Sequence, residues 1–208
     1  APALGGAAAG ALWWWERATG GVVGVEDAVA DGSGTAAARM GLTRPFADGA
    51  LQVLVVGAGN SVGREGAPRL MSGAVAARLA RWLGLEAGTT TLLVAAAAGA
   101  GLAAMYNVPL GGAAFAVEIT LTAGARRRGV WLALPVSAIA TVVSWLHSHG
   151  RPTFDIAVGG PTTATILTAL AAAPALMVLG AGARRLWDWF KVHRVRNTWA
   201  LPAGIATA

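Results

Sequence analysis

The stretch that decides the fold reads Gly63-Arg64-Glu65-Gly66-Ala67-Pro68, and it places two charged side chains between glycines. Mostly small and aliphatic residues surround it, over residues 51–62 and 70–83. An ionisable side chain at membrane depth is costly, so by default it marks a pathway or a binding site. Glycines let a backbone approach an ion closely and let a helix break without steric cost. The stretch therefore predicts a broken membrane helix that carries a functional carboxylate.

The composition predicts a polytopic membrane protein with an all-α fold. Of the 208 residues, 55% are hydrophobic and 12% are charged, whereas a soluble domain carries roughly 25% charged residues. The mean hydropathy is +0.57. The sequence contains no cysteine, which excludes a disulfide or a thiolate metal site within it. We expect no cofactor.

Two basic clusters, Arg126-Arg127-Arg128 and the basic residues of 184–196, contribute to a net charge of +6. Each lies just beyond an apolar run, which is the pattern that the positive-inside rule describes. If the first cluster is cytoplasmic, the span from Val130 leads outward, residues 148–161 form an outer loop, and the next span returns to the second cluster. Both clusters are then predicted on one side of the membrane. Nucleic acid is not an expected partner for such a pattern.

Five apolar runs are predicted to be membrane spans. They cover residues 46–62, 65–83, 89–106, 130–147 and 162–182. The first is near the lower limit of roughly 17 residues for crossing a bilayer. After the third, Asn107-Val108-Pro109 interrupts the helix, and a short apolar helix over 110–121 contains Glu118. That helix is too short to cross unless it is tilted, so we predict helices of uneven length, some of them broken or re-entrant.

Both ends of the sequence lie in apolar runs, and we therefore interpret the chain as a fragment of a longer membrane domain. Residues 1–17 are interpreted as the end of a helix, with three tryptophans at the membrane interface. Residues 18–45 form a glycine-rich connection, in which 25–29 is predicted as a short helix. Residues 46–197 hold the membrane helices, and residues 198–208 begin a further, truncated helix.

Electrostatics alone leaves two interpretations of Glu65 open. Helix N-termini carry unpaired backbone N–H groups and attract anions, and a helix that opens at 63–68 aims several of these groups at one point. A carboxylate there would compete with a permeating anion and would leave when it is protonated, so Glu65 would act as a gate. In the other interpretation Glu65 forms an ion pair with Arg64. From electrostatics alone the ion pair is the stronger interpretation.

Two motifs resemble the CLC family of chloride channels and chloride/proton exchangers. Residues 63–66 are similar to the family's Gly-Arg-Glu-Gly-Pro, although Ala67 stands in the place of the proline. Residues 101–118 resemble the family stretch in which an Asn-x-Pro-Leu turn leads into a helix that ends in glutamate. The resemblance covers about residues 13–205 and implies the first of the family's two inverted repeats, with the start of the second. It makes the gate the favoured interpretation of Glu65.

The resemblance also implies roles for individual residues. Glu65 is similar to the gating glutamate, whose carboxylate occupies the outer anion site. The residues that would shape this anion site are Gly63, Arg64, Gly66 and Ala67. Glu118 resembles the glutamate at the cytoplasmic end of its helix.

Ile119 follows Glu118 at the place where proton-coupled members commonly carry a second glutamate as the internal proton acceptor. Isoleucine carries no proton. The resemblance therefore favours passive anion conduction, and it leaves chloride/proton or other anion/proton antiport as the alternative.

The family's first anion-binding turn, Gly-Ser-Gly-Ile-Pro, has two candidates in this sequence. Gly32-Ser33-Gly34 matches three letters, but Thr35-Ala36 then departs from Ile-Pro. Gly20-Gly21 has a spacing from Glu65 that is nearer to the family's, and it precedes a segment that resembles the family's next helix. We prefer Gly20 and Gly21, which implies that backbone N–H groups hold the central anion. Ser33 is the alternative.

An assembly and a location are also implied by the resemblance. Residues 110–146 resemble the family's dimer-interface helices, so we expect a homodimer with Leu110, Phe115 and Trp131 facing the second subunit. The expected location is the plasma membrane of a bacterium, and the expected substrate is chloride or a similar small anion. Because the family pore also needs parts of the second repeat, a fragment that does not conduct is a further alternative.

Enzyme chemistry and metal binding are not predicted. The sequence has no His-Glu-x-x-His motif and no evident nucleophile with a base, so we assign no catalytic residue. His147, His149 and Asp155 lie near one another in sequence, but solvation at the membrane interface is the simpler interpretation of this group.

Overall fold

The computed structural model describes residues 2–60, 63–121, 124–150 and 162–192, and within these ranges every regular element is a helix. The helices are α1 (Pro2–Ala18), α2 (Val25–Ala30), α3 (Thr35–Arg39), α4 (Thr43–Gly57), α5 (Gly66–Trp82), α6 (Ala87–Tyr106), α7 (Pro109–Phe115), α8 (Arg126–Ser148) and α9 (Thr163–Val192). A π-helical turn, Ala116–Thr120, continues α7. The predicted all-α class with helices of uneven length is confirmed.

The chain divides into two compact units. The first unit holds α1 to α8, and the second holds α9. Helix α9 has 30 residues with Pro174 in its interior, and nearly all of its described side chains are exposed. A long helix with apolar side chains exposed on every face is suited to a lipid environment.

Helix α6 is the centre of the first unit, because α5, α7 and α8 all pack against it. It is rich in alanine and glycine, and small residues let membrane helices approach closely. Gly99 meets Gly112 of α7 backbone to backbone, so neither position has room for a Cβ atom. Gly101 meets the backbone carbonyl of Pro68 in α5 in the same way. These contacts bring the two sequence motifs against each other.

Helix α2 confirms the short helix that was predicted at 25–29. Val25 is 2% exposed, and it packs so closely on α5 that a Cβ atom at Gly73 would lie 2.9 Å from its side chain. With six residues, α2 is too short to be stable alone. Its place therefore depends on its contacts with α5 and α6.

Among the residues that the structure describes, three helices are long and apolar enough to cross a membrane by themselves. They are Ala87–Tyr106, Arg126–Ser148 and, within α9, Thr163–Leu186. They correspond to the predicted spans at 89–106, 130–147 and 162–182. Helix α8 stays continuous through Pro135.

The other two predicted spans fall on shorter helices. Span 46–62 falls on α4, which has 15 residues, and span 65–83 falls on α5, which has 17; residues 61 and 62 lie outside the described ranges. At 1.5 Å per residue these helices are roughly 22 and 25 Å long, whereas the hydrocarbon core of a bilayer is roughly 30 Å thick. Each of these two helices is thus shorter than the hydrocarbon core is thick.

The break between α6 and α7 lies where the sequence predicts it. Asn107 has a left-handed backbone (φ 59°) and ends α6, and Pro109 opens α7. Proline suits the first turn of a helix because its missing N–H would have no partner there. The Asn107 side chain accepts a hydrogen bond from Trp145 Nε1 at 2.7 Å and donates one to the Gly150 carbonyl at 3.3 Å. The break is thus tied to the end of α8.

Candidate functional site

Glu65 stands at the N-terminal end of α5, immediately before its first helical residue, Gly66. Its side chain is exposed. The carboxylate folds back over Gly63, and a Cβ atom at that position would overlap its oxygens. Glycine at position 63 thus provides the space that the carboxylate occupies. The arrangement puts an exposed negative charge at the positive end of a helix dipole.

Arg64 faces the second motif. Its guanidinium carbon lies 5.6 Å from the centroid of the Tyr106 ring, which is a cation–π distance. The Arg64 side chain thus connects the start of α5 to the end of α6.

Gly21 and Gly66, two of the predicted anion-binding residues, line one cavity of about 330 Å³. The polar side chains in its wall belong to Trp13, Glu16, Glu26, Asp48, Gln52 and Arg69. Gly66 lies against Gln52, since a Cβ atom there would be 2.5 Å from Gln52 Oε1. Ala67 is buried in the packing of α5, at 3% exposed. The structure thus brings the Gly20–Gly21 turn and the start of α5 to one space.

The Gly20–Gly21 turn is held by Arg44. Both glycines have positive φ, 123° and 66°, a conformation that favours glycine. The Arg44 guanidinium donates hydrogen bonds to the carbonyl oxygens of Gly21 at 2.9 Å and Thr19 at 2.8 Å. A groove of about 530 Å³ borders the turn and is also lined by Arg39. Two guanidinium groups therefore lie beside this turn.

Carboxylates line part of the cavity, and the sequence did not predict them there. Glu16 is 8% exposed. Asp48 accepts hydrogen bonds from Trp13 Nε1 at 2.6 Å and from Gln52 Nε2 at 3.0 Å. Ionised carboxylates repel an anion, and more strongly in a low-dielectric cavity. The wall of this cavity therefore combines carboxylates with two of the predicted anion-binding glycines.

Arg69 is a further residue of this region that the sequence did not single out. It lies one helical turn after Glu65, and its side chain is 20% exposed. Its guanidinium pairs with the Glu26 carboxylate and lies 4.6 Å from the centroid of the Phe115 ring. Its Nε is buried and has no hydrogen-bond partner in the described part of the chain. The i, i+4 spacing from Glu65 is the signal that could have found it, since such residues share a helix face.

Ser33, the alternative residue for the first anion-binding turn, lies between α2 and α3 and is exposed. Its hydroxyl donates a hydrogen bond to Asp31 Oδ2 at 2.6 Å. This bond, together with one from the Ala36 backbone N–H, lowers the pKa of Asp31 below its ordinary value. The Ser33 hydroxyl is thus engaged by a carboxylate.

Glu118 lies in the π-helical turn after α7 and is exposed. It lines a separate, mainly apolar groove of about 220 Å³ together with Leu110 and Val117. Its backbone carbonyl accepts a hydrogen bond from Arg126 Nη2 at 3.1 Å. The side chain of Ile119 lies outside the described part of the chain.

The three residues predicted to face a second subunit differ in their surroundings. Leu110 and Trp131 are 73% and 78% exposed. Phe115 is half-buried and lies under the Arg69 guanidinium. Leu110 and Trp131 are therefore free to meet a partner, whereas the Phe115 ring already has a contact within the chain.

Metal ligands are not grouped in the part of the chain that the structure describes. No set of three or more His, Cys, Asp or Glu side chains there is arranged to hold an ion. His147 and His149 lie at the end of α8, and Asp155 lies outside the described residues.

Comparison with known protein families shows which family this chain belongs to. The sequence model of the family described as voltage gated chloride channel matches residues 5–207. The chain belongs to the CLC family. The predicted resemblance is thereby confirmed, and this CLC chain is an integral membrane protein.

Individual relatives carry the same family name. The CLC chain is 34% identical over 123 residues to the voltage-gated ClC-type chloride channel ClcB of Yersinia pseudotuberculosis, which is 57% of this chain and 28% of that protein. It is 33% identical over 123 residues to ClcB of Yersinia pestis, with the same coverage. The chain thus spans about 28% of the length of the curated relatives it matches. No solved structure gives a significant match.

Proposed function

We propose that this CLC chain forms part of a membrane protein that transports anions, with chloride as the substrate. The matching family is described as voltage gated chloride channel, and the Yersinia relatives are named chloride channels. In the proposed site, Glu65 is the gating carboxylate, and the backbone of Gly63, Arg64, Gly66 and Ala67 shapes the outer anion position. Gly20 and Gly21 supply the inner turn.

The observation that carries this proposal is the place of the Glu65 carboxylate. It is exposed, it lies over Gly63, and it stands at the N-terminus of α5. The carboxylate opposes an anion drawn to the N–H groups of this helix end, because two negative charges repel each other at short range. Protonation of the carboxylate removes this competition. Anion flux should therefore rise as the pH falls.

Glu65→Gln in the natural full-length protein tests the gate. We expect chloride efflux from proteoliposomes at neutral pH to rise by about twofold to fivefold, the range that a helix-end charge contributes, and its pH dependence to flatten. Gly63→Ala should act in the same direction, because the added Cβ displaces the carboxylate. The matched control is Glu86→Gln, another exposed glutamate immediately before a helix, α6. Unchanged flux and unchanged pH dependence in Glu65→Gln would contradict the gating role.

Within this function we propose passive conduction ahead of anion/proton antiport. Ile119 carries no proton at the position that follows Glu118. One observation favours the antiport alternative, since Glu16 and Asp48 place carboxylates in the wall of the cavity. A chloride gradient imposed across proteoliposomes separates the two. Chloride-driven proton movement against the proton gradient would support antiport, and chloride flux without it would support a channel.

We further propose that the protein is a homodimer in a bacterial plasma membrane. Exposed Leu110 and Trp131 support a subunit contact, and the relatives named above come from bacteria. Trp131→Arg tests the interface, because a charge inside an apolar contact costs free energy. We expect a larger fraction of monomer in detergent or lipid than for wild type. An unchanged subunit distribution would contradict the proposed contact.

A further inference from the structure

Arg69 occupies a particular place beside the proposed anion site. It lies in the first turn of α5, one turn after Glu65, and its side chain lines the cavity that also contains Gly21 and Gly66. At 20% exposed, most of its surface is covered by protein. A buried guanidinium is costly unless partners surround it, so its contacts within the chain restrict where it lies.

Those contacts join three separate elements. The guanidinium pairs with Glu26 of α2, lies over the Phe115 ring at the end of α7 at 4.6 Å, and is anchored by its own backbone in α5. The Glu26 side chain is 64% exposed, so solvent weakens the charge attraction by itself. The contribution of Arg69 is therefore mainly geometric, since one planar group holds an acidic and an aromatic partner together.

The partner helix leads directly to the inner anion-binding turn. Helix α2 begins at Val25, immediately after the segment that starts with Gly20 and Gly21. Because α2 has only six residues, its position depends on tertiary contacts. Val25 sets how deeply α2 packs against α5. One residue further along, the Arg69–Glu26 ion pair is a second contact that ties α2 to α5. A change at this tie would move the Gly20–Gly21 turn relative to the start of α5.

We propose that Arg69 is a positioning residue that fixes the spacing between the Gly20–Gly21 turn and the Gly63–Gly66 turn, and so sets the size of anion that the site admits. This inference rests on the proposed function. Arg69 acts through Glu26 and Phe115 and does not itself bind the anion. Loss of the tie should widen the site, which favours a large, weakly hydrated anion over chloride.

The test compares chloride efflux with thiocyanate efflux from proteoliposomes that contain the natural full-length protein. Arg69→Gln and Glu26→Gln should each raise the thiocyanate-to-chloride flux ratio by about fivefold, at the lower end of common coupling effects between sites. Phe115→Leu should raise it less, because the ion pair remains. Arg69→Lys should raise the ratio less than Arg69→Gln does, since lysine keeps the charge that pairs with Glu26 but lacks the planar group. The matched control is Arg78→Gln, an exposed arginine on the same helix.

The outcomes separate this inference from the proposed function. A raised ratio in both Arg69→Gln and Glu26→Gln, with Arg78→Gln unchanged, supports the positioning role. If Arg69→Gln does not fold, Glu26→Gln and Phe115→Leu carry the test, since each leaves the arginine in place. Equal loss of both fluxes at an unchanged ratio overturns the positioning role alone. Wild-type protein that transports neither anion overturns the proposed function, and this inference with it.

Discussion

Glycine decides the geometry at the proposed site, and it does so in two different ways. At Gly63 the missing Cβ leaves the volume in which the Glu65 carboxylate lies. At Gly20 and Gly21 the backbone itself requires glycine, because both residues have positive φ. A side chain at the first position would displace a charge, whereas a side chain at the other two would strain a turn. The two kinds of glycine should therefore respond differently to substitution.

A residue-scale prediction separates the two candidates for the inner anion-binding turn. Gly21→Ala places a Cβ at φ 66°, which costs roughly 1–2 kcal/mol, and should weaken apparent chloride affinity in flux assays. Ser33→Ala should leave chloride affinity unchanged, because the Ser33 hydroxyl is engaged by Asp31. An affinity loss confined to Ser33→Ala would instead assign the turn to Ser33.

The same Ser33→Ala variant carries a pH prediction with a definite sign. The Ser33 hydroxyl is the largest cause of the lowered pKa of Asp31. Its removal should raise that pKa toward the ordinary carboxyl value. A lowered folded-state pKa stabilises the fold above the unfolded pKa, and that stabilisation is lost as the pH falls through the folded value. Titration of the Asp31 carboxyl by NMR checks the shift, and an unmoved pKa would contradict it.

At the scale of elements, glycine contacts determine how α5, α6 and α7 fit together. The Gly99–Gly112 and Gly101–Pro68 contacts are made by backbone atoms, so they cannot relax by a side-chain rotation. Association of membrane helices relies on such close packing, because lipid is as apolar as the helix surface. The two motifs of the sequence therefore meet through residues that carry no functional group at all.

Gly101→Ala tests this packing. The added Cβ would overlap the Pro68 carbonyl oxygen, and overpacking of this kind costs about 1–3 kcal/mol. We expect a lower free energy of unfolding, measured by denaturant titration in detergent micelles. Gly88→Ala is the matched control on the same helix, because nothing lies within 4 Å of a Cβ there; helix propensity should make it neutral or slightly stabilising. Equal stability of the two variants would contradict the proposed packing.

Helix breaks could be predicted from the sequence more reliably than helix lengths. Asn107 and Pro109 carry local signals for the end of one helix and the start of the next, and both act as predicted. The length of α5 was predicted to within one residue at each end, whereas the end of α4 was not. The apolar run of α4 continues past the helix into a glycine-containing turn, and hydropathy does not show where backbone hydrogen bonding stops.

At the scale of the whole molecule, the sequence showed which residues carry the family motifs but not which residues meet. Gly21 and Gly66 were both predicted, and they do line one cavity. Arg69 was missed because its partner Glu26 is 43 residues away, and helical periodicity describes a face without naming what lies against it. Phe115 was predicted to face a second subunit for the same reason, since its contact with Arg69 depends on the packing of α5 and α7.

Membrane topology is the property of the whole molecule that the charge pattern predicts most directly. Helix α8 and residues 163–186 of α9 each have the length and composition of a span. We therefore predict that the chain crosses out and back between Arg127 and Arg184, and that both arginines lie in the cytoplasm, as the positive-inside rule requires. Arg127→Cys and Arg184→Cys should resist a membrane-impermeant maleimide added outside intact cells, whereas His149→Cys should react. Because these 208 residues include no natural cysteine, each variant adds one cysteine to this part of the chain. Lysed cells provide the control, in which all three positions should react.

Labelling of both Arg127→Cys and Arg184→Cys in intact cells would reverse the predicted orientation. Labelling of only one of these two variants would show that the chain does not cross twice between the two positions.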